Sequence, residues 1–290
     1  MTSPWTPEVE LDLAQARARL ARDFPDLAAL PVTPAGEGWD CLAVRVGDEL
    51  VARFARRELA ATLMERELRW MPELAPHLPV PVSAPVRRGP ADPFPYGVHR
   101  WVDGVTADRA ELTDDERVAL APALGHLLRV LHQLPVPADA PGVVLGRGDG
   151  ARRGARAIER LAELGIDVGA RAWLDALPPP SDRRVWVHGD LYARHLVIGP
   201  DRALAGVIDW GDVHAGSPAA DLSIGWSFVP PAGRAGFLAA YGLPVDAATW
   251  SHARLVALDY VGALIPYGRA QGDVAAEQLG FRVLATVTSG

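Results

Sequence analysis

The segment 185–222, VWVHGDLYARHLVIGPDRALAGVIDWGDVHAGSPAADL, constrains the fold of this chain most. It contains apolar runs that are typical of short buried strands, at 185–187, 196–198 and 205–208. Asp190 follows the first run, His195 precedes the second, and Asp209 ends the third. A hairpin between Asp190 and Asp209, which are nineteen residues apart, brings its two ends close together. We therefore expect one small sheet whose edge brings Asp190, His195 and Asp209 together.

Two carboxylates and an imidazole at one sheet edge can hold a divalent cation and leave one carboxylate for proton transfer. Each residue alone has an ordinary explanation. An aspartate after a strand is commonly a turn former, and His188 is explained by hydrogen bonds to the loop backbone. The joint pattern is different, because burying three such groups without a function is costly. The segment therefore predicts a functional site.

The rest of the chain is β-rich first and helical afterwards. Residues 30–54 alternate apolar and polar positions around glycine-bearing turns, which predicts antiparallel strands. An amphipathic helix is predicted before them, at 7–23, and a long helix begins after the capping box of Thr113 and Glu116. We expect an α+β fold. The predicted lobes are 1–102, which is small and β-rich, and 103–290, which is larger and mainly helical.

Composition excludes several classes of function. The 290-residue chain has one cysteine, Cys41, which rules out an internal disulfide framework and a thiolate zinc cluster. Its net charge of −7 argues against a nucleic acid or anionic lipid partner. No apolar run reaches the roughly 18 residues of a membrane span, and the first residues lack the order of a signal peptide. We expect a cytoplasmic protein.

The motif HGDLYARHLVI, followed by GVIDWGDVHAGSPAADLS, resembles the signature of the aminoglycoside phosphotransferase superfamily. That signature is HGDxxxxN and then, after an apolar strand, an aspartate-led run that ends in D-[LI]. The superfamily includes macrolide phosphotransferases, and its fold is similar to that of protein kinases. The resemblance covers nearly the whole chain and implies a two-lobe kinase. Such an enzyme moves the γ-phosphate of ATP or GTP to a hydroxyl of a small molecule, such as an aminoglycoside- or macrolide-type antibiotic or a related metabolite.

Matched position by position, the resemblance implies roles for the residues of the central segment. Asp190 would be the catalytic aspartate, which orients or accepts the proton of the attacking hydroxyl. Asp209 and His195 would be the metal ligands. His188 and Asp221 would support the catalytic loop from behind.

The resemblance also implies a nucleotide site in residues 1–102. Arg53 would contact the α- and β-phosphates, and Glu67 on the next helix would be its ion-pair partner. A glycine-bearing hairpin would cover the nucleotide, and the stretch 96–101 would lie beside the purine. The further nucleotide-binding candidates are Gly36, Gly38, His99 and Trp101.

Two positions depart from the usual pattern of the superfamily. His195 stands where the metal-site asparagine is expected, and Arg53 stands where a lysine is expected. Mg²⁺ prefers oxygen ligands, so an imidazole weakens its binding or favours Mn²⁺. Arginine grips phosphate with a planar fork that differs from the point charge of lysine. Macrolide phosphotransferases resemble this chain in both replacements.

The acceptor is left open between two kinds of pocket. Aminoglycosides are polycations and require an acidic cleft, for which the candidates are Asp212, Asp259 and Asp273. A macrolide ring requires an apolar pocket, for which the candidates are Trp226, Phe228, Trp250, Tyr260 and Tyr267.

Two other functions also fit parts of the sequence. The first is a metal-dependent hydrolase whose ligands are His188, Asp190, His195 and Asp209. It explains the central segment alone and not the pairing of Arg53 with Glu67. The second is a pseudokinase that binds nucleotide without turnover, which the replacements at Arg53 and His195 suggest.

Overall fold

The computed structural model describes residues 7–37, 41–144 and 150–289, and the chain divides into two compact units. The first unit contains the chain up to Pro76, Pro81–Asp103 and Val207–Asp212, and the second contains His77–Val80, Gly104–Gly206 and the chain from Val213 onward. Val207 clusters with the first unit because it pairs in parallel with Val82 and donates its N–H to Pro81 O at 3.0 Å. The predicted lobe 1–102 does not include this segment.

The first unit is an antiparallel sheet with two helices. Its elements are α1 (Leu13–Asp23), β1 (Val32–Glu37), β2 (Cys41–Val46), β3 (Leu50–Ala55), α2 (Glu58–Leu74), β4 (Pro85–Gly89) and β5 (Tyr96–Arg100). The strand order is β1-β2-β3-β5-β4, with every neighbouring pair antiparallel. Phe54 and Tyr96, which face each other across β3 and β5, stack with ring centroids 4.4 Å apart and form part of the core. The predicted strands are therefore present.

Helix α1 begins later than the sequence pattern predicts. The prediction placed its start at residue 7, whereas the structure has Asp12 as the N-cap. The Asp12 carboxylate accepts from Gln15 N at 2.8 Å, and the Gln15 side chain accepts from Asp12 N at 2.9 Å. This reciprocal pair satisfies two amides that would otherwise lack partners at the helix start, and so it sets the first turn at Leu13.

The second unit is mainly helical. Its elements are β6 (Val105–Thr106), α3 (Asp114–Gln133), α4 (Gly150–Glu163), α5 (Ala170–Asp175), β7 (Val185–Val187), β8 (Leu196–Ile198), β9 (Leu204–Val207, whose last residue belongs to the first unit), β10 (His214–Gly216), α6 (Ala219–Leu222), α7 (Ile224–Ser227), α8 (Pro231–Tyr241), α9 (Ala247–Gln271) and α10 (Val274–Thr288). Short 3₁₀ helices of the two units lie at Pro25–Leu27, Ala75–His77 and Ala193–His195.

The predicted capping box of Thr113 and Glu116 starts α3. Gly125 lets α3 approach α8 closely, since a Cβ there would lie 2.3 Å from Phe237 O. No helix in the described ranges is long and apolar enough to cross a bilayer.

The three predicted strands of the central segment do not form one sheet. β7 pairs with β10 in a two-stranded sheet, whereas β8 lies between β6 and β9 in another. Gly189, at a φ of +85°, and the 3₁₀ helix Ala193–His195 turn the chain away from β7 before β8 begins. The expectation of one small sheet is therefore wrong, whereas the consecutive strands β8 and β9 between Asp190 and Asp209 do pair with each other, and the strand positions are nearly right.

Candidate active site

Arg53 is the centre of a charged cluster in the first unit. Its Nη1 donates to both carboxylate oxygens of Glu67, at 2.9 and 2.7 Å, and its Nη2 donates to Asp209 Oδ1 at 2.5 Å. Strand β3 places Arg53 opposite Ala43 and Gly97, which are small neighbours. The predicted pairing of Arg53 with Glu67 is thus present, and Asp209 joins the same guanidinium.

The three members of the cluster differ in exposure and in charge balance. The side chain of Glu67 is 1% exposed, and that of Asp209 is 43% exposed. Burial raises the pKa of Glu67 to about 7, although Arg53 acts in the opposite direction. Burial also opposes the charge of Arg53, but Asp209 and Glu67 outweigh it and raise the pKa of the guanidinium. The exposed carboxylate is the one that a ligand can reach.

Asp209 has an unusual backbone conformation. Its φ of +65° is in the left-handed region, which a non-glycine residue adopts at an energetic cost of order 1 kcal/mol or more. The next residue, Trp210, donates its Nε1–H to Val207 O at 3.1 Å and is fully buried. We infer that the packing of Trp210 holds the turn that presents the Asp209 carboxylate.

The other residues predicted to bind nucleotide differ in how exposed they are to solvent. His99 is fully buried, with Nε2 3.6 Å from Glu67 Oε1. Burial, followed by the charge of Arg53, lowers its pKa to about 3. Trp101 is half-buried and packs under Arg45, whose guanidinium carbon is 4.4 Å from the ring centroid. Gly36 lies at an irregularity of β1 where a Cβ would meet no atom within 4 Å, and Gly38 lies outside the described residues.

In the second unit, Asp221 holds the loop that follows β7. Its Oδ2 accepts from His188 N at 2.8 Å, and its Oδ1 accepts from Gly189 N at 2.9 Å. His132 Nε2 lies 3.2 Å from the same Oδ2, and His132 Nδ1 lies 2.9 Å from the Tyr241 hydroxyl. Burial opposes the charge of Asp221, but the hydrogen bond from His132 and the neighbouring groups keep its pKa below the ordinary value.

Sequence reasoning missed two members of this network. His132 is in the last turn of α3 and Tyr241 is at the end of α8, and neither was predicted as a site residue. The available signal is the burial expected for His132, which follows Leu128 and Leu131 on the apolar face of α3. A buried histidine requires polar partners, and Asp221 and Tyr241 provide them.

The loop held by Asp221 carries Asp190 and His195. His195 Nδ1 lies 2.7 Å from the main-chain carbonyl oxygen of Asp190. Because a carbonyl only accepts, Nδ1 carries the hydrogen, which leaves Nε2 as the acceptor nitrogen of a neutral ring. Asp190 N donates to His188 Nδ1 at 3.3 Å. Burial, followed by the charge of Asp190, raises the pKa of Tyr260, which stacks on Tyr192 of the loop.

The structure thus brings together two sets of predicted residues. Arg53, Glu67 and Asp209 meet in the first unit, and the second set, in the second unit, is His188, Asp190, His195 and Asp221. Within the ranges that the structure describes, no three His, Cys, Asp or Glu side chains are arranged as metal ligands. The four-ligand centre required for the hydrolase alternative is therefore not found there.

The three acids nominated for a polycation pocket all lie beside arginine. Asp259 is buried and accepts from Arg153 at 2.9 Å and from Arg156 at 2.6 Å. The other two are Asp273, whose Oδ2 accepts from Arg194 at 3.2 Å, and Asp212, whose charge acts on Arg66. Among the nominated aromatic residues, Trp226, Phe228 and Tyr260 are buried, and Trp226 packs on Trp250 at 5.1 Å.

Sequence comparison identifies relatives of this chain. The profile of the phosphotransferase enzyme family matches residues 31–256. An aminoglycoside 3'-phosphotransferase of Streptomyces ribosidificus is 31% identical over 193 residues, which are 61% of this chain and 71% of that protein. Another, from Streptomyces fradiae, is 32% identical over 157 residues, or 50% of this chain and 57% of that protein.

Comparison with solved structures extends the similarity to almost the full chain. The GDP complex of aminoglycoside 2'-phosphotransferase-IIIa has a TM-score of 0.71 at 20% identity and covers 96% of this chain and 99% of that one. A macrolide 2'-phosphotransferase type I has a TM-score of 0.64 at 22% identity and covers 95% of this chain and 97% of that one. The predicted α+β fold, with a β-rich first part and a helical second part, is confirmed.

Proposed function

Because the chain belongs to the phosphotransferase enzyme family, it is a nucleotide-dependent phosphotransferase, and we propose that it moves the γ-phosphate of ATP or GTP to a hydroxyl of an aminoglycoside- or macrolide-type molecule. The observation that carries this proposal is the loop held by Asp221, which positions Asp190 and His195 through main-chain contacts. Residues 1–102 would bind the nucleotide and residues 103–290 the acceptor. A nucleoside triphosphate donor is consistent with a cytoplasmic enzyme.

Asp190 would act on the acceptor hydroxyl. The acceptor oxygen forms a bond to the γ-phosphorus while the bond from that phosphorus to the β-phosphate oxygen breaks, which releases the nucleoside diphosphate. A hydroxyl is too weak an acid to lose its proton beforehand at neutral pH. The proton therefore passes to the Asp190 carboxylate during transfer, and orientation of the hydroxyl is the larger part of the role.

Arg53 would contribute positive charge to the phosphates. Nη1 of its guanidinium donates to Glu67, and Nη2 donates to the more exposed carboxylate of Asp209. A fixed guanidinium stabilises charge on a transferring phosphoryl group without reorganising during the reaction. His99 is buried, so its side chain would support Glu67, and Trp101 and Gly36 are the more open candidates for nucleotide contact.

Asp209 and His195 would hold the divalent cation. An exposed carboxylate suits Mg²⁺, and the acceptor nitrogen of His195 suits Mn²⁺ better than Mg²⁺. When bound, the cation would neutralise phosphate charge. We propose both ions as cofactors, with Mn²⁺ the more effective.

We propose that the acceptor is a macrolide-type molecule, in preference to an aminoglycoside. Asp259, Asp273 and Asp212 lie beside arginines, so they offer little net negative charge to a polycation. Desolvating several ammonium groups requires carboxylates that are not already neutralised. A macrolide carries fewer charges and does not depend on them.

One panel assay tests the proposal. The protein is incubated with ATP or GTP, with Mg²⁺ or Mn²⁺, and with macrolides, aminoglycosides and simple alcohols, and products are identified by mass. We expect one phosphate group on a macrolide and none without nucleotide. Nucleotide binding with no phosphorylated product from the whole panel would favour the pseudokinase. Tightly held zinc or iron in the purified protein would favour the hydrolase.

A further inference from the structure

Tyr192 contacts both the loop that follows β7 and helix α9, and the proposed reaction gives it no role. It lies two residues after Asp190, is half-buried, and precedes the 3₁₀ helix that ends at His195. His195 N donates to Tyr192 O at 2.9 Å, which closes this turn through the main chain. Because the turn depends on main-chain atoms, the contacts of the Tyr192 ring need a separate explanation.

The ring of Tyr192 packs on that of His195. The two ring centroids are 4.6 Å apart and the ring planes are inclined at 70°, which is the edge-to-face arrangement. The imidazole also stacks on the ring of the fully buried His188, with centroids 5.7 Å apart. The orientation of His195 is thus restricted by these two rings as well as by its hydrogen bond to Asp190 O at 2.7 Å.

Helix α9 provides a fixed surface for Tyr192. The ring of Tyr260 is parallel to that of Tyr192 within 18°, with centroids 4.8 Å apart. Tyr260 is buried, and the guanidinium carbon of Arg153 is 5.1 Å from its ring centroid. Asp259, the residue before Tyr260, accepts from Arg153 Nε at 2.9 Å, so Arg153 of α4 contacts α9 at two neighbouring positions. The rings of Tyr260, Tyr192 and His195 therefore connect α9 to the loop.

The orientation of His195 matters because the two nitrogens of a neutral imidazole are chemically different. Nδ1 donates to Asp190 O, which leaves Nε2 as the acceptor nitrogen. The proposed function uses Nε2 for the cation and the same loop for Asp190. Rotation of the imidazole would break the hydrogen bond to Asp190 O and move the acceptor nitrogen away from its place. A ring that packs on the imidazole opposes this rotation.

We propose that Tyr192 is a positioning residue, whose ring holds the His195 imidazole with Nδ1 on Asp190 O. Tyr192 acts through His195 and does not touch the reacting atoms. The catalytic consequence rests on the proposed function, whereas the orientation of the imidazole is measurable without any substrate. The contact energy of an aromatic pair corresponds to a preference of about tenfold or less for the packed orientation.

NMR of the full chain labelled with ¹⁵N-histidine measures this orientation, at pH 8 and without nucleotide or metal. The signals of His195 are assigned by their loss in His195→Gln. In the wild type we expect the tautomer with hydrogen on Nδ1, and slow exchange of that hydrogen-bonded proton with water. Tyr192→Leu should mix the two tautomers and speed the exchange about tenfold. Tyr192→Phe keeps the ring and should behave as the wild type.

Kinetics with the acceptor that the panel assay identifies measure the catalytic consequence. Tyr192→Leu should lower kcat about tenfold and change the KM of the acceptor by less than about twofold, and Tyr192→Phe should restore kcat. Phe281→Leu is the matched control, since Phe281 is an exposed aromatic residue of α10 whose ring centroid is 5.9 Å from the guanidinium carbon of Arg269. It should change neither the His195 signals nor kcat.

If Tyr192→Leu does not fold, Tyr192→Met replaces it, because methionine fills more of the volume of the ring. Unaltered His195 signals in the variant would overturn the proposal, and a raised acceptor KM would then make Tyr192 a contact of the acceptor. Equal effects of Tyr192→Leu and Phe281→Leu would also contradict it, since both would reflect a general loss of packing. Absence of product from the whole panel would contradict the proposed function alone, and the NMR comparison would still decide whether Tyr192 positions His195.

Discussion

Two aspartates, one in each unit, are held in opposite ways. Asp221 is fully buried and is fixed by two main-chain amides and the ring of His132. Asp209 is 43% exposed, and the guanidinium of Arg53 forms an ion pair with one of its oxygens. Amides cannot move away without unfolding the loop, whereas an arginine side chain can exchange one anion for another. The chain thus uses fixed hydrogen bonds where it positions a loop and a charge pair at the place where the proposed function requires a ligand to compete.

The largest effect is expected at the loop that Asp221 fixes. Asp190→Asn keeps the shape of the side chain but removes the carboxylate that accepts the proton, and we expect kcat to fall by about three orders of magnitude. Nucleotide affinity should change by less than about tenfold, because Asp190 acts on the acceptor. Steady-state kinetics and nucleotide titration measure the two values. Full turnover by the variant would contradict the catalytic assignment.

Arg53→Met tests the charge pair from the side of the cation. Glu67 would be left buried without its partner, and breaking a buried pair in this way costs about 3–5 kcal/mol. The cost should decrease as the pH falls, because without Arg53 the pKa of the buried Glu67 is raised further and the carboxyl takes up a proton instead. Urea unfolding at pH 8 and pH 6 measures it.

The control for this change is Arg69→Met. Arg69 is exposed on α2 and pairs with Glu73 one turn away, so its loss should leave the free energy of unfolding unchanged within error. A double variant, Arg53→Met with Glu67→Met, should recover much of the stability lost, since no unpaired charge is then buried. Equal losses in the single and double variants would show that packing, and not charge, sets the cost.

The two aspartates can also be compared directly by the same substitution. Asp221→Asn replaces one acceptor oxygen by an NH2 group. In the place of Oδ1 this group cannot accept from Gly189 N, and in the place of Oδ2 it cannot accept from His188 N or His132, so we expect a loss of about 2–3 kcal/mol. Asp209→Asn should change the free energy of unfolding by less than about 0.5 kcal/mol but weaken metal-nucleotide binding. Denaturant unfolding and nucleotide titration separate the two effects. Similar stability losses for both variants would show that the two aspartates are not held in different ways.

The two clusters were not equally predictable from sequence. Arg53 and Glu67 lie on a strand and the helix that follows it, 14 residues apart, and the family resemblance was enough to pair them. His132 and Asp221 are 89 residues apart, and nothing in the last turn of α3 indicates which loop it will meet. The pairing of β7 with β10 was also missed, because it depends on the turn at Gly189.

Local features were predicted best overall. The capping box at Thr113 and Glu116, the strands of the first unit and the central apolar runs all follow from short-range preferences of the residues themselves. The roles of Asp190, Asp209 and His195 in catalysis and metal binding stay predictions, since they depend on ligands.

The effect expected at His99 appears only in acid. His99 is fully buried beside Glu67, and its pKa is lowered from the ordinary value of 6.5 to about 3. Between these pH values His99 binds a proton in the unfolded chain but not in the folded chain, so the contribution of His99 to stability falls as the pH decreases below 6.5. The slope contributed by His99 is at most about 1.4 kcal/mol per pH unit.

His99→Leu should remove that slope while changing little at pH 7.5, where His99 is neutral in both states. Urea unfolding at pH 7.5, 6 and 5 measures it, with His126→Leu, an exposed histidine of α3, as the control that keeps the slope. If His99→Leu also keeps the slope, the folded protein must protonate His99 beside Glu67. The cluster of the first unit would then hold a second buried cation, and the proposed competition between Asp209 and a ligand for Arg53 would depend on pH as well.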